Sequence, residues 1–180
     1  GSSEIGVKAA FAHTASENQG HSNAEYDKLF EESGVLREKT WQEFLDTSLA
    51  LGNCPPLRGD NVVIITNGGG AGLLAADHFE RLGMPLKELK DISPDLRENI
   101  RNYMPAFGSP LNPVDISGTA TSDMYGGALK TAYRDEHVDG ILISVCPTAV
   151  TDVEAITETV INIHRQYKNL GKPFIMECQG

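Results

Sequence analysis

The chain has 180 residues, 40% of them hydrophobic, and a formal net charge of −10, which suits one α/β domain with a real core plus an extra arm. Acidic residues outnumber basic ones 25 to 15 and no Lys/Arg cluster occurs, so neither a nucleic-acid partner nor an anionic membrane surface is expected. No apolar run approaches the length of a bilayer span and no basic-then-apolar leader opens the chain, which reads as a cytoplasmic protein.

Residues 1–12 open with small residues at 9, 10 and 12 that suit packing against something larger. Residues 13–23 are a polar loop without periodicity, and they contain His13 and His21. A helix is predicted over 24–32, with Tyr26, Leu29 and Phe30 on one face and Gly34 as its C-terminal cap, followed by a short strand at 35–37. Thr40 and Glu43 have the spacing of a capping box, opening a second helix that carries Trp41, Phe44, Leu45 and Leu49 and ends near Gly52. Residues 55–60, Pro-Pro-Leu-Arg-Gly-Asp, form a linker. The division expected is an N-terminal arm over 1–58, with the histidine loop and two helices, and an α/β domain over 59–180.

The stretch that organises the domain is Val62-Val63-Ile64-Ile65-Thr66-Asn67-Gly68-Gly69-Gly70-Ala71-Gly72. Four β-branched apolar residues in a row fit a parallel strand buried on both faces. The glycines bring bare backbone N–H groups close to whatever lies above them. A helix over 71–81 follows, with Leu73, Leu74, Phe79 and Leu82 as its apolar stripe and Gly83 at its C-terminal cap. Its N-terminus faces the glycine loop, where the helix dipole and unpaired amides favour an anion, phosphate above all. Asn67, Gly68, Gly69, Gly70, Ala71 and Gly72 are the candidate phosphate-binding residues. A tightly packed strand-to-helix turn is the competing reading. The third glycine of a dinucleotide fingerprint is missing, and no Gly-Lys-Ser/Thr follows, which excludes a nucleoside-triphosphate P-loop.

Downstream, residues 85–89 read as a second short strand, and Ser93-Pro94-Asp95 opens a helix that stops before Pro105. Residues 105–120 are rich in Pro and Gly around Asn112-Pro113-Val114-Asp115-Ile116. This is a shaped loop plus a brief strand, either a structural turn or a site loop carrying Asn112 and Asp115. Residues 121–134 are helical but weakened by Gly126-Gly127. A second wholly apolar strand spans 140–146, and Thr151 with Glu154 reads as another capping box. The long helix after it carries Ile156, Val160, Ile163 and Tyr167 at helical spacing, and 173–178 is the last strand. Alternating strands and helices from residue 61 onward give a doubly wound parallel sheet, flavodoxin-like, with 62–66 central and 140–145 beside it. A chain that stops just after a strand is expected to be a piece of something longer. Cys54, Cys146 and Cys178 are odd in number and far apart, so neither a disulfide frame nor a metal site is expected.

Together these pieces resemble the NDP-forming acyl-CoA synthetases, relatives of succinyl-CoA synthetase, in the ligase domain that follows their CoA-binding part. The resemblance rests on Ser3-Glu4-Ile5-Gly6-Val7-Lys8-Ala9-Ala10, Ala12-His13-Thr14, Tyr26-Asp27-Lys28-Leu29-Phe30, Gly34-Val35-Leu36-Arg37, Thr66-Asn67-Gly68-Gly69-Gly70-Ala71-Gly72, Asn112-Pro113-Val114-Asp115 and Gly171-Lys172-Pro173. It implies that His13 is a phosphohistidine, carrying a phosphoryl group from an acyl phosphate to a nucleotide. Neutral imidazole nitrogen suits that step near pH 7. Ala12 and Ala15 replace a Ser and a Gly of the family's Ser-His-Thr-Gly motif, and His21 is the runner-up phosphoacceptor.

The implied reaction takes acyl-CoA, ADP and phosphate to acid, ATP and CoA. This chain would bind no cofactor by itself, ATP/ADP, Mg and CoA entering through the complete enzyme. The implied partners are CoA-binding and ATP-grasp domains or subunits, with homo-oligomerisation left open. Two other readings stand beside this one: a regulatory or sensor module of the kind fused to protein acetyltransferases, and a non-catalytic anion-binding module.

Overall fold

The computed structural model describes residues 23–178, so the calls on His13 and His21 lie outside the described residues. The chain divides into two compact units, one up to Asn53 and one from Cys54 onward.

In the first unit, α1 (Asn23–Glu32) and α2 (Trp41–Asn53) are the described elements. Gly34 ends α1 in the left-handed region at φ 66°, and the Val35 amide bonds back to the Phe30 carbonyl at 2.8 Å, the closure expected of a glycine cap. The capping box forms as read: Glu43 N–H donates to Thr40 Oγ1 at 3.1 Å and Thr40 N–H to Glu43 Oε2 at 2.8 Å. That pairing holds the Glu43 carboxyl below its ordinary pKa, the Thr40 amide being the main cause. The strand expected at 35–37 is not formed. Arg37 turns back on α1 instead, donating to the Asn23 carbonyl and side chain and to Asp27, and no described strand pairs with this segment.

The second unit is a four-stranded parallel sheet. Its strands are β1 (Val62–Thr66), β2 (Val114–Asp115), β3 (Gly140–Val145) and β4 (Phe174–Cys178), in the order β2-β1-β3-β4. Val62 pairs with Gly140 and Thr66 with Ser144, which makes β1 and β3 the central pair as the apolar runs predicted. This order matches the first four places of the flavodoxin-like arrangement.

Alternate residues face opposite layers. Val63, Ile65, Ile141, Ile143 and Val145 join one core with α4 (Leu89–Ile92), α5 (Leu96–Arg101), α6 (Ser122–Arg134) and α7 (Val153–Tyr167). On the opposite face, α3 (Gly69–Arg81) lies over Thr66 and Pro113, both of which approach Gly72. Gly126 and Gly127 do not weaken α6 to any purpose of flexibility. A side chain at Gly126 would press on Thr159 and Ile163 of α7, and one at Gly127 would overlap the Tyr103 ring, so the pair permits close packing on both sides.

Several local expectations are corrected. Residues 85–89 form no strand, because the adjacent edge of β1 is already filled. Val114 and Asp115 pair with Ile65 and Thr66, while the Asn112 side chain accepts from Ile64 N–H at 3.1 Å and donates to the Val62 carbonyl at 2.7 Å. The outer side of β2 is closed too, by the exchange of backbone bonds between Asp115 and Ser109. Pro94 precedes α5 instead of starting it. α7 is capped by Asp152, whose carboxylate accepts from Ala155 N–H at 3.0 Å, since Thr151 is engaged with Thr148 at 2.8 Å. Finally, Leu73 and Leu74 of α3 and Leu82 just after it are exposed, and only Gly72 of the helix is buried. The helix docks through a small-residue face because Pro113 and Thr66 leave no room for a leucine.

Candidate functional site

In an open α/β sheet the strand order reverses between two neighbouring strands, and the crevice outside their carboxyl ends is the place where ligands bind. Here the reversal falls between β1 and β3, and the residues that follow these two strands meet there. β1 runs into Asn67 and the glycines; β3 runs into Cys146. Both polar atoms of the Asn67 side chain, which is only 4% exposed, are engaged across this junction. Its Oδ1 accepts from Cys146 N–H at 2.7 Å and from the Tyr125 hydroxyl at 3.0 Å, and its Nδ2 donates to the Cys146 carbonyl at 2.9 Å. The Tyr125 hydroxyl lies equally close to the Ser144 carbonyl, at 3.0 Å. Burial raises the Tyr125 phenol above its ordinary pKa and keeps it a neutral donor.

The glycines occupy distinct situations. Gly68 N–H donates to Thr66 Oγ1 at 3.0 Å, and its α-carbon lies so near Cys146 that an added Cβ would come within 2.4 Å of Sγ. Gly69 lies against Asp115, with Oδ2 at 2.7 Å from the place a Cβ would take. The other Asp115 oxygen is fixed by Ser117 N–H at 2.8 Å. Gly72 closes the first turn by donating to the Gly68 carbonyl at 3.2 Å. The amides of Gly69, Gly70 and Ala71 have no acceptor among the described residues, and no side chain caps the helix.

That last point separates α3 from the two other long helices of this unit. One first-turn amide of α6 is met by Thr121 and one of α7 by Asp152, whereas α3, like the short α4 and α5, has no side-chain cap and keeps the positive end of its dipole behind its first-turn amides. Such an arrangement can hold a tetrahedral oxyanion through backbone N–H groups alone. The Asp115 carboxylate beside it repels a fully charged anion and accepts any N–H presented with it.

The structure therefore gathers Gly68, Gly69, Gly70, Ala71, Gly72 and Asp115 in one place. Asn112 is not among them: it is bonded to Val62, Ile64 and Lys87 at the amino end of β1, where it substitutes for a missing length of β2. Cys146, Tyr125, Ser117 and the Thr148–Thr151 pair line or support the same carboxyl edge and were not named as site residues from the sequence. Their signal was positional, since each follows a strand or opens a helix on the side where loops carry function. Among the described residues no group of three or more His, Cys, Asp or Glu side chains is placed to hold a metal ion, and no helix is long and apolar enough to cross a membrane.

Residues 62–180, which include this whole edge, match the profile of the Ligase-CoA domain. The chain belongs to the Ligase-CoA domain family. Among curated relatives it is 41% identical to the alpha subunit of an ADP-forming acetate–CoA ligase I of Pyrococcus furiosus, over all of this chain and 37% of that one. It is 31% identical to an ADP-forming 4-hydroxybutyrate–CoA ligase of Nitrosopumilus maritimus, over 93% of this chain and 23% of the relative. Among solved structures it resembles a dinucleotide-forming acetyl-coenzyme A synthetase 1 of Ca. Korarchaeum cryptofilum in complex with phosphate and ADP, with a TM-score of 0.88 and 31% identity. That match covers 99% of this chain and 37% of the other. This Ligase-CoA chain thus spans well under half the length of the relatives named.

Proposed function

We propose that this chain is the ligase segment of an NDP-forming acyl-CoA synthetase that converts acyl-CoA, ADP and phosphate into acid, ATP and CoA, with His13 as the phosphoryl carrier. The observation that carries this reading is the uncapped N-terminus of α3 at the β1/β3 reversal, in a chain whose named relatives are ADP-forming CoA ligases. Those relatives also favour the catalytic reading over a regulatory module of a protein acetyltransferase.

In the proposed sequence, phosphate oxygen attacks the acyl carbon and CoA leaves as thiolate, giving an acyl phosphate. An imidazole nitrogen of His13 then attacks phosphorus, the P–O bond to the acid breaks, and the carboxylate departs. ADP oxygen finally attacks the phosphohistidine, the P–N bond breaks, and ATP forms with free imidazole. Phosphoryl transfer of this kind asks the protein mainly for position and charge neutralisation. The amides of Gly69, Gly70 and Ala71 supply both for the equatorial oxygens. His21 is the alternative carrier.

CoA-binding and ATP-grasp segments are the proposed partners, the latter bringing the nucleotide with its Mg, and the cytoplasm is the proposed location. The test is labelled ATP with the complete enzyme, in wild type, His13→Ala and His21→Ala. Acid-labile, base-stable label is expected in wild type and His21→Ala and absent from His13→Ala. Label lost only in His21→Ala moves the role to His21, and no label in wild type refutes the phosphohistidine.

A further inference from the structure

The Asn67 side chain acts as one more rung of the sheet. Beyond the Thr66–Ser144 pair, where the β1/β3 ladder ends, its amide bonds both the N–H and the carbonyl of Cys146, at 2.7 and 2.9 Å, as a neighbouring strand would. The chain leaving β1 is thereby fastened to the chain leaving β3, one residue before the glycines. Cys146, held on both backbone groups, then serves as the stop against which Gly68 packs. Tyr125, wholly buried in α6, ties the same oxygen of Asn67 to the helical layer at 3.0 Å. No atom of the Asn67 side chain remains for a ligand.

We infer that Asn67 is a positioning residue which, with Tyr125, sets the direction of the Gly69, Gly70 and Ala71 amides. The inference rests on reading those amides as the seat of a phosphoryl group. Its chemistry is preorganisation: donors already aimed need no reordering when the anion arrives, and a loop free to move would lose binding through that reordering. The structure also provides an internal control. Asn112 makes three hydrogen bonds at the opposite end of the same strand, none of them to the glycine loop, which its segment touches only through the packing of Pro113 on Gly72 and Asp115 on Gly69.

The test uses the full 180-residue chain, ¹⁵N-labelled, with inorganic phosphate as the probe. Backbone order parameters of Gly69, Gly70 and Ala71 are measured without phosphate, and their shifts are then followed on titration. Asn67→Ala is expected to lower all three order parameters and to weaken phosphate binding about tenfold, the scale of one lost hydrogen bond. Tyr125→Phe, which keeps the packing and both Asn67–Cys146 bonds, should do the same to a smaller extent and guards against a variant that fails to fold. Asn112→Ala should lower the unfolding temperature while leaving loop order and phosphate affinity at wild-type values. The inference is overturned if Asn112→Ala loosens the loop as much as Asn67→Ala, or if neither Asn67→Ala nor Tyr125→Phe loosens it. Should wild type show no response to phosphate, the phosphoryl-site reading fails by itself, and the order parameters still decide the positioning role.

Discussion

Replacing Gly68 with alanine isolates the contact that seats the glycine loop. The backbone at Gly68 has φ −128° and ψ 99°, an extended conformation that alanine adopts freely, so no backbone strain enters. The difficulty is the neighbour: the new Cβ would lie 2.4 Å from Cys146 Sγ and 2.9 Å from Cys146 Cβ. Sγ can turn away about χ1, but Cβ moves only with the Cys146 backbone, whose N–H and carbonyl are both bonded to Asn67. Overpacking of this kind destabilises by about 1–3 kcal/mol, offset by about 0.4–1 kcal/mol from the stiffer unfolded chain, leaving a net loss of about 1–2 kcal/mol. Urea unfolding of Gly68→Ala, Cys146→Gly and the double variant closes a cycle. Removing the Cys146 side chain removes both close atoms, so Gly68→Ala should be close to neutral in that background, with a coupling of about 1–3 kcal/mol as for residues in direct contact. An equal loss in both backgrounds would show that the penalty arises elsewhere and that Cys146 is not the stop for the loop.

Two further outcomes follow from the same geometry. Asp115→Asn keeps an acceptor for Ser117 N–H and removes a negative charge beside the amides. With a phosphate dianion about 6 Å away at this solvent-facing turn, where the effective dielectric approaches the ~80 of water, the repulsion removed is about 1.4 kcal/mol and binding should tighten on the order of tenfold, as read by titration at fixed ionic strength. Unchanged or weaker binding would mean the anion does not sit beside Asp115. The second concerns His164, whose Nδ1 lies 2.8 Å from the Tyr133 hydroxyl and whose ring stacks on Phe174. Burial, and secondarily Lys168, lower its pKa from the ordinary 6.5. The unfolded chain then binds more protons in the window between the depressed folded value and 6.5, so stability is full above 6.5 and falls as pH drops through that window. His164→Phe should flatten this part of the stability profile measured by urea unfolding; a slope unchanged from wild type would refute the assignment.

The central strands were legible because a strand buried on both faces needs a continuous apolar run, which Val62 to Ile65 and Ile141 to Ile143 supply. The caps at Gly34, Thr40 and Gly83 were legible because they depend on three or four residues near in sequence. Residues 85–89 were misread for the opposite reason: whether a short apolar segment becomes a strand depends on a free sheet edge, and Asn112 and Val114, far along the chain, had taken it. Leu73, Leu74 and Leu82 have helical spacing, yet which side of α3 faces the sheet was decided by Pro113 against Gly72. The glycine loop and Asp115 could be named from the sequence as separate candidates. Their meeting, and the commitment of Asn67 to Cys146 and Tyr125, required the parallel register to bring residues from three elements together.

The claim on which the account turns is that the first turn of α3 receives a phosphoryl group. A crystal of this chain soaked in sulfate at moderate ionic strength tests it most directly. The account predicts a tetrahedral anion within hydrogen-bond distance of the Gly69, Gly70 and Ala71 amides, in wild type and again in Asp115→Asn at higher occupancy. Amides closed by a protein acceptor, with no anion at that turn in either protein, would contradict it.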